Sequence, residues 1–173
     1  ISGGWTPMVH LFTQSGGKLK FNEIDNIFIP DKGSPDQISI GSCNGDFELD
    51  DVLKNSNNLT KNFIASESSE FDNLNVDCSK EINKKNIWLL PSEVSIGKTK
   101  PFLDFQNDST AKDVKLALRE GFKSIEHVKR YTTTGMGTDQ GKLSNMHALG
   151  IIAETAGVKM GELGTTTFRP PYT

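Results

Sequence analysis

Residues 129–142 read Lys-Arg-Tyr-Thr-Thr-Thr-Gly-Met-Gly-Thr-Asp-Gln-Gly-Lys. Three consecutive threonines and three glycines bury little apolar area, and each glycine loses much backbone entropy when it becomes ordered. Such a stretch is a poor core segment, but its N–H groups, hydroxyls and flanking cations are donors that bind anions. The stretch therefore predicts either an anion-binding loop or a solvated turn, since its spacing matches neither a Walker loop nor G-x-G-x-x-G.

Short helices are predicted on both sides of this loop. Each has a capping residue at its start, and apolar residues follow three and four positions apart. The N–H groups that open the helix after the loop would point back into it. The predicted bounds are Ser109 or Thr110 to Gly121, Ser124 to the loop, and Ser144 or Asn145 to Gly157.

The two halves of the chain differ in charge. Residues 1–97 carry 8 Lys and Arg against 14 Asp and Glu, a net of −6, whereas residues 98–173 carry 11 against 8, a net of +3. The second half therefore suits an anionic ligand, but neither half is basic enough to predict nucleic-acid binding. No apolar run approaches the ~20 residues of a membrane span, and two distant cysteines predict neither a disulfide framework nor a zinc site. These features are typical of a cytoplasmic protein.

A hairpin and a strand–turn–helix unit are predicted in the first third of the chain. Residues 9–12 read as a short strand, and residues 18–21 and 27–29 as the hairpin. A strand at 37–40, a turn containing Gly41 and Gly45, and a helix at 48–54 would form the shape that brings backbone close to a nucleotide. Alternatively, the two glycines only permit a tight turn.

Five stretches follow one another along the chain. They read Ser-Gly-Gly-Trp at 2–5, Phe-Leu-Asp-Phe-Gln-Asn-Asp at 102–108, Arg-Tyr-Thr-Thr-Thr-Gly-Met at 130–136, Thr-Asp-Gln-Gly-Lys at 138–142 and Thr-Thr-Thr-Phe-Arg-Pro-Pro-Tyr-Thr at 165–173. In this order they resemble the alpha subunit of heterotetrameric sarcosine oxidase. The start at Ile1 and the proline-rich end predict a piece of a longer polypeptide.

The resemblance implies an α+β chain in four parts. Residues 1–60 would be the end of an α/β, disulfide-oxidoreductase-like NAD-binding domain, with Gly41 and Gly45 near the nucleotide, although the main dinucleotide fingerprint is missing. Residues 61–100 would be a connector. From their residues alone, the polar stretches 55–58 and 66–70 predict loops and residues 87–91 a buried strand. Residues 101–164 would be a small helical domain, and residues 165–173 a linker towards an aminomethyltransferase-like domain.

The helical part also resembles bacterioferritin-associated ferredoxins, which hold a 2Fe-2S cluster. Their cysteine pattern falls here on Asp104, Gln106, Asp139 and Ser144. Because iron–sulfur clusters are held by thiolates, we expect the scaffold without its cluster and no metal site.

The sarcosine oxidase resemblance implies an FMN site shared with the beta subunit, whose histidine carries the flavin. We expect Arg130 and Lys142 to neutralise the FMN phosphate, and hydroxyl or amide donors to approach it. The expected donors and loop residues are Thr132, Thr133, Thr134, Gly135 and Gln140. No catalytic residue is predicted in this piece. Asp139 is either a general base or, as we favour, an acceptor for loop N–H groups.

The resemblance further implies a complex with the beta subunit and smaller subunits that oxidises sarcosine to glycine. It would yield methylene-tetrahydrofolate and hydrogen peroxide, using FAD and tetrahydrofolate bound elsewhere. Two alternatives stay open: an alpha subunit of a related flavin-dependent amine, opine or proline dehydrogenase complex, and a non-catalytic module that only packs on a partner.

Overall fold

The structure is a computed structural model that describes residues 6–63 and 86–166. The described residues form two compact units, 6–63 and 86–166, and the division falls inside the predicted connector 61–100. Each unit combines one two-stranded antiparallel sheet with helices, which confirms the α+β class. The naming of the units as particular domains stays a prediction. The loop predicted at 66–70, most of the linker 165–173 and the stretch at 2–5 lie outside the described residues.

The first unit is built around a hairpin. Its elements are α1 (His10–Gln14), β1 (Lys18–Asn22), β2 (Ile27–Lys32), a 3₁₀ helix (Gly41–Asn44) and α2 (Leu49–Phe63). β1 and β2 pair antiparallel, with Phe21 opposite Phe28 and their ring centroids 4.9 Å apart. The hairpin predicted from residues 18–29 is therefore confirmed.

The strand predicted at residues 9–12 is wrong, because these residues begin helix α1. Val9 and Phe12 are buried and Leu11 is exposed, which is the spacing of one helix face rather than the alternation of a strand. The Phe12 ring packs against the backbone of Gly17 and Gly33, where a Cβ atom would stand 2.4 and 2.7 Å from ring carbons.

Two further predictions in the first unit are wrong. Residues 37–40 form no strand and lead into the 3₁₀ helix, because no other strand of the described unit lies beside them to pair their backbone groups. The helix predicted at 48–54 exists, but it continues through the loop predicted at 55–58. Asn55 is held there by a hydrogen bond from its Nδ2 to Asp46, 3.0 Å long.

The second unit is a short hairpin followed by helices. Its elements are β3 (Phe102–Asp104), β4 (Ser109–Thr110), α3 (Ala111–Arg119), α4 (Ile125–Thr132), α5 (Asn145–Ala156) and α6 (Met160–Leu163). α3 packs against α4 and α5, and α6 packs against α5. The core side chains are Ala111, Val114, Ala117, Ile125, Val128, Ala148, Leu149, Ile151, Ile152, Ala153 and Met160. No helix among the described residues is long and apolar enough to cross a bilayer.

Local signals confirm the predicted bounds of these helices. Thr110 caps α3 in a capping box with Asp113, each side chain accepting from the other's backbone N–H. Gly121 follows the end of α3 at φ +97°, and Gly157 caps α5 at φ +67°. Both are backbone conformations that glycine adopts at little cost.

The buried strand predicted at 87–91 is wrong, because this segment is irregular and Ile87 and Leu90 are exposed. Trp88 instead packs on helix α5, where a Cβ atom on Gly150 would stand 2.2 Å from the indole. Its ring also meets His147 edge-on, with centroids 6.1 Å apart. Trp88 thus attaches this segment to the helical unit.

Candidate functional site

The candidate site is the glycine loop, residues 133–144, which joins α4 to α5. The last turn of α4 carries Lys129 and Arg130 to it. Arg130 is exposed and Lys142 is half-buried. The loop therefore presents the cations that the sequence placed on its two sides.

A buried carboxylate connects the loop to the hairpin of residues 102–110. Asp104 is only 4% exposed, and its carboxylate accepts the Gly135 N–H at 2.7 Å. It also accepts the backbone N–H groups of Gln106 and Asn107 and the Asn107 side-chain amide, at 2.8, 3.2 and 3.1 Å. The carboxylate is therefore held by its own turn as well as by the loop.

These contacts set the ionisation of Asp104. Burial raises the pKa of its carboxyl group, but hydrogen bonds from the Asn107 side chain and from the N–H groups of Gly135, Asn107 and Gln106 lower it. The hydrogen bonds prevail, and the pKa of Asp104 lies below its ordinary value. The ionised form therefore predominates at neutral pH.

Two further contacts join the hairpin to the loop region. The Gln106 side-chain oxygen accepts the Thr138 N–H at 2.5 Å and lies 3.1 Å from the Thr138 hydroxyl. The Ser109 hydroxyl donates to the Thr132 carbonyl at the end of α4. The hairpin thus contacts three points between residues 132 and 138.

The glycines of the loop allow close packing. A Cβ atom on Gly135 or on Gly141 would stand 2.2 Å from the Asn145 side-chain oxygen, and one on Gly137 would stand 2.0 Å from the Gln106 oxygen. Gly135 and Gly141 also have positive φ angles, +72° and +79°. The role that the structure shows for Gly135 is therefore to admit Asn145.

The three threonines face different ways, which the sequence did not reveal. Thr132 and Thr134 are buried, and their hydroxyls lie 2.8 Å from each other, with that of Thr132 donating to the Val128 carbonyl. Thr133 is exposed, with φ +58°. Of the three, Thr133 alone lies at the surface of the loop.

Thr133 has a strained backbone, because a β-branched residue at positive φ is an outlier. We expect Thr133→Gly to raise the free energy of unfolding by roughly 1 kcal/mol, since the left-handed conformation costs other residues about 1–2 kcal/mol and glycine very little. Urea unfolding followed by circular dichroism measures this. Thr155→Gly, an exposed helical position in α5, should instead lower stability. Equal losses in both variants would contradict the strain.

Asp139 accepts the N–H groups of Gly141 and Leu143, at 3.1 and 3.3 Å. This confirms the favoured role of a loop-stabilising acceptor. Gln140, at φ +52°, donates from its side-chain nitrogen to the Gly137 carbonyl at 2.9 Å. Its side-chain amide is therefore already hydrogen-bonded within the loop.

The backbone donors of the loop are largely used within the chain. Side-chain oxygens of Asp104, Gln106 and Asp139 already accept loop N–H groups. The N–H groups of Gly135, Thr138, Gly141 and Leu143 therefore have acceptors within the chain in this conformation. Among the residues expected to contact an anion, Arg130 and Thr133 are exposed and Lys142 is half-buried, and the Thr133 hydroxyl donates to the Thr132 carbonyl at 2.7 Å.

The positions aligned with cluster cysteines carry oxygen side chains in the structure. Asp104 and Gln106 contact the loop, Asp139 lies within it, and Ser144 is buried before α5. Among residues 6–63 and 86–166, no group of three or more His, Cys, Asp or Glu side chains is arranged to hold a metal ion. The donor chemistry does not fit an iron–sulfur cluster.

Gly41 and Gly45 belong to the other unit, at the two ends of the 3₁₀ helix. A Cβ atom on Gly45 would stand 3.1 Å from Ile29, and its φ of +88° caps the helix. The structure therefore shows Gly45 as a turn residue that packs against the hairpin, without the strand expected before it.

Known proteins match this chain both in sequence and in fold. Residues 98–173, which contain the 102–110 hairpin and the glycine loop, match the family described as the sarcosine oxidase A3 domain. The match thus covers most of the second unit. The fold of the chain is similar to the crystal structure of L-proline dehydrogenase from P. horikoshii, with a TM-score of 0.57 and 20% identity, covering 97% of this chain and 36% of that one.

The chain is also similar to curated proteins over its whole length. It is 35% identical to sarcosine oxidase subunit alpha of Corynebacterium sp. (strain P-1), covering 100% of this chain and 18% of that protein. A stretch covering 50% of the chain is 56% identical to the same subunit of Rhizobium meliloti (strain 1021), of which it covers 8%. The chain is therefore a relative of the sarcosine oxidase alpha subunits and corresponds to a segment of them. It spans less than a fifth of their length.

Proposed function

We propose that the chain is a segment of the alpha subunit of a heterotetrameric sarcosine oxidase, and that its second unit helps form an FMN site at the beta subunit. The complex would oxidatively demethylate sarcosine to glycine, with formation of methylene-tetrahydrofolate and hydrogen peroxide. The observation that carries this proposal is the 35% identity to a sarcosine oxidase alpha subunit over the whole chain. The chemistry supplied at the site would be electron transfer from the substrate-oxidising FAD to oxygen through FMN.

The geometry of the glycine loop narrows the residues that would contact FMN. Arg130 and Lys142 would neutralise the phosphate. The exposed Thr133 hydroxyl donates to the Thr132 carbonyl at 2.7 Å, so it would have to turn away from that carbonyl to donate to the phosphate. Thr132, Thr134, Gly135 and Gln140 would shape the loop, because their polar groups or their Cα positions are already engaged within it.

The resemblance to sarcosine oxidase alpha subunits supports the other cofactors and partners of the proposal. FAD, tetrahydrofolate and the smaller subunits would belong to other parts of the complex. NAD would bind the larger domain of which residues 1–60 are a part, with Gly41 and Gly45 near it.

Arg130→Glu should weaken the phosphate contact. A charge-assisted hydrogen bond contributes about 1.5–3 kcal/mol, so the FMN concentration for half-maximal reversible binding, the step before attachment to the histidine, should rise roughly tenfold or more. The measurement uses the full alpha subunit assembled with its partner subunits from flavin-depleted cells, titrated with FMN. Noncovalent binding of riboflavin, which lacks the phosphate, should change little.

The matched control is Arg119→Glu, the same charge change at an exposed position in the last turn of α3. This variant should incorporate FMN like the wild type, apart from a small effect that salt removes. Identical behaviour of the two variants would sink the assignment of Arg130 and leave the loop as a packing element.

A further inference from the structure

We infer that the 102–110 hairpin acts as a template for the glycine loop, and that Asp104 and Gln106 are positioning residues for the anion contacts proposed above. The inference rests on the proposed function. It adds the residues that keep the loop in its binding shape by hydrogen bonds to the loop rather than to the phosphate.

Three hydrogen bonds connect the hairpin to the loop and to the end of α4. They join Ser109 to the Thr132 carbonyl, Asp104 to the Gly135 N–H and Gln106 to the Thr138 N–H. They flank Thr133 on both sides, and each spans more than twenty residues of sequence. The hairpin therefore constrains the segment that carries the exposed hydroxyl.

The hairpin is itself well fixed. Asp104 accepts three donors from its own turn, and Thr110 at the other end forms the capping box of α3. The Asp104 oxygens are therefore held in place whether or not the loop contacts them, which lowers the entropy lost when that contact forms.

The loop, by contrast, adopts backbone conformations that are rarely populated. Thr133, Gly135, Gln140 and Gly141 all have positive φ angles. A chain without these contacts would spend little time with two non-glycine residues in the left-handed region. Loss of the hairpin contacts should thus change the loop and Thr133, while Arg130 stays on helix α4.

Gln106 gives the sharpest test, because it is exposed and its replacement leaves the core intact. Gln106→Met keeps the length of the side chain and removes the acceptor, whereas Gln106→Glu keeps an acceptor oxygen. Gly137→Ala disturbs the same contact from the other side, since its Cβ atom would stand 2.0 Å from the Gln106 oxygen.

The experiment measures two quantities on the assembled complex. Hydrogen exchange of peptides covering residues 133–140 reports the loop, and FMN titration reports the site. We expect Gln106→Met and Gly137→Ala to speed exchange in these peptides and to raise the half-saturating FMN concentration about fivefold. Gln106→Glu, which keeps the acceptor, should stay close to the wild type in exchange, and the thermal midpoint should shift little in all three variants.

Two results would overturn the inference. One is unchanged exchange in Gln106→Met and Gly137→Ala, which would show that the contact does not order the loop. The other is faster exchange in Gln106→Met and Gly137→Ala with an FMN titration like that of the wild type, while Arg130→Glu does shift the titration. In that case the proposed function stands and the positioning role fails. An Arg130→Glu variant that binds FMN normally removes the proposed phosphate contact of Arg130, whatever the exchange shows.

Discussion

Gly150→Ala is expected to lower the free energy of unfolding of the second unit by roughly 2–3 kcal/mol, although alanine is the better helix former by about 1 kcal/mol. The new Cβ atom would stand 2.2 Å from the Trp88 indole, a separation that real structures do not allow. The helix backbone is buried among Leu149, Ile151 and Ile152 and has little freedom to move, so the indole must leave its position. Chemical unfolding followed by circular dichroism at 222 nm measures the loss.

A double-mutant cycle with Trp88→Ala separates this clash from an effect on the helix. Once the indole is removed, Gly150→Ala should no longer destabilise and should raise stability by up to about 1 kcal/mol. Thr155→Ala, at an exposed position of the same helix, should be neutral or slightly stabilising. Additive losses in the double variant would mean that Trp88 does not pack on Gly150.

Asp104→Ala is expected to cost roughly 3 kcal/mol. The substitution removes four hydrogen bonds and leaves the buried Gly135 N–H without its acceptor, and an unsatisfied buried donor alone costs about 1–3 kcal/mol. Urea unfolding at neutral pH measures the difference from the wild type. Glu154→Ala, which removes an exposed carboxylate of α5, should stay within about 0.5 kcal/mol of the wild type.

The effect of Asp104 should depend on pH in a defined direction. Its pKa is lower in the folded protein than in the unfolded chain, so the unfolded chain takes up the proton first as the pH falls. The stabilisation is therefore complete above about pH 4 and is lost as the pH falls through the folded-state pKa. The difference in stability between wild type and Asp104→Asn, which cannot titrate, should shrink below about pH 4. A difference that stays constant down to pH 2 would contradict the role of the charge.

The helices around the glycine loop could be predicted because their signals are local. The cap at Thr110, the left-handed glycines at 121 and 157 and the apolar spacing between them lie within a few residues of what they determine. The error at residues 9–12 has a similar origin, since a four-residue apolar stretch is too short to separate a strand from one helical turn.

The interior of the site could not be predicted in the same way. The bond between Asp104 and Gly135 spans 31 residues, and nothing near Asp104 in the sequence names its partner. The sequence contains an Asp-x-Gln turn and a Gly-Met-Gly loop. It does not show that the side chains of the turn accept hydrogen bonds from the loop. The orientation of each threonine depends on how α4 ends, which only the packed structure defines.

Trp88 also indicates where the second unit begins in the sequence. The family match starts at Lys98, whereas the indole that covers Gly150 lies upstream of that boundary. A family match shows how far two sequences can be aligned. The boundary of a packed unit is set instead by the residues that cover its core. A fragment that begins at Lys98 would therefore lack the ring that covers Gly150 and would leave that part of helix α5 open to solvent.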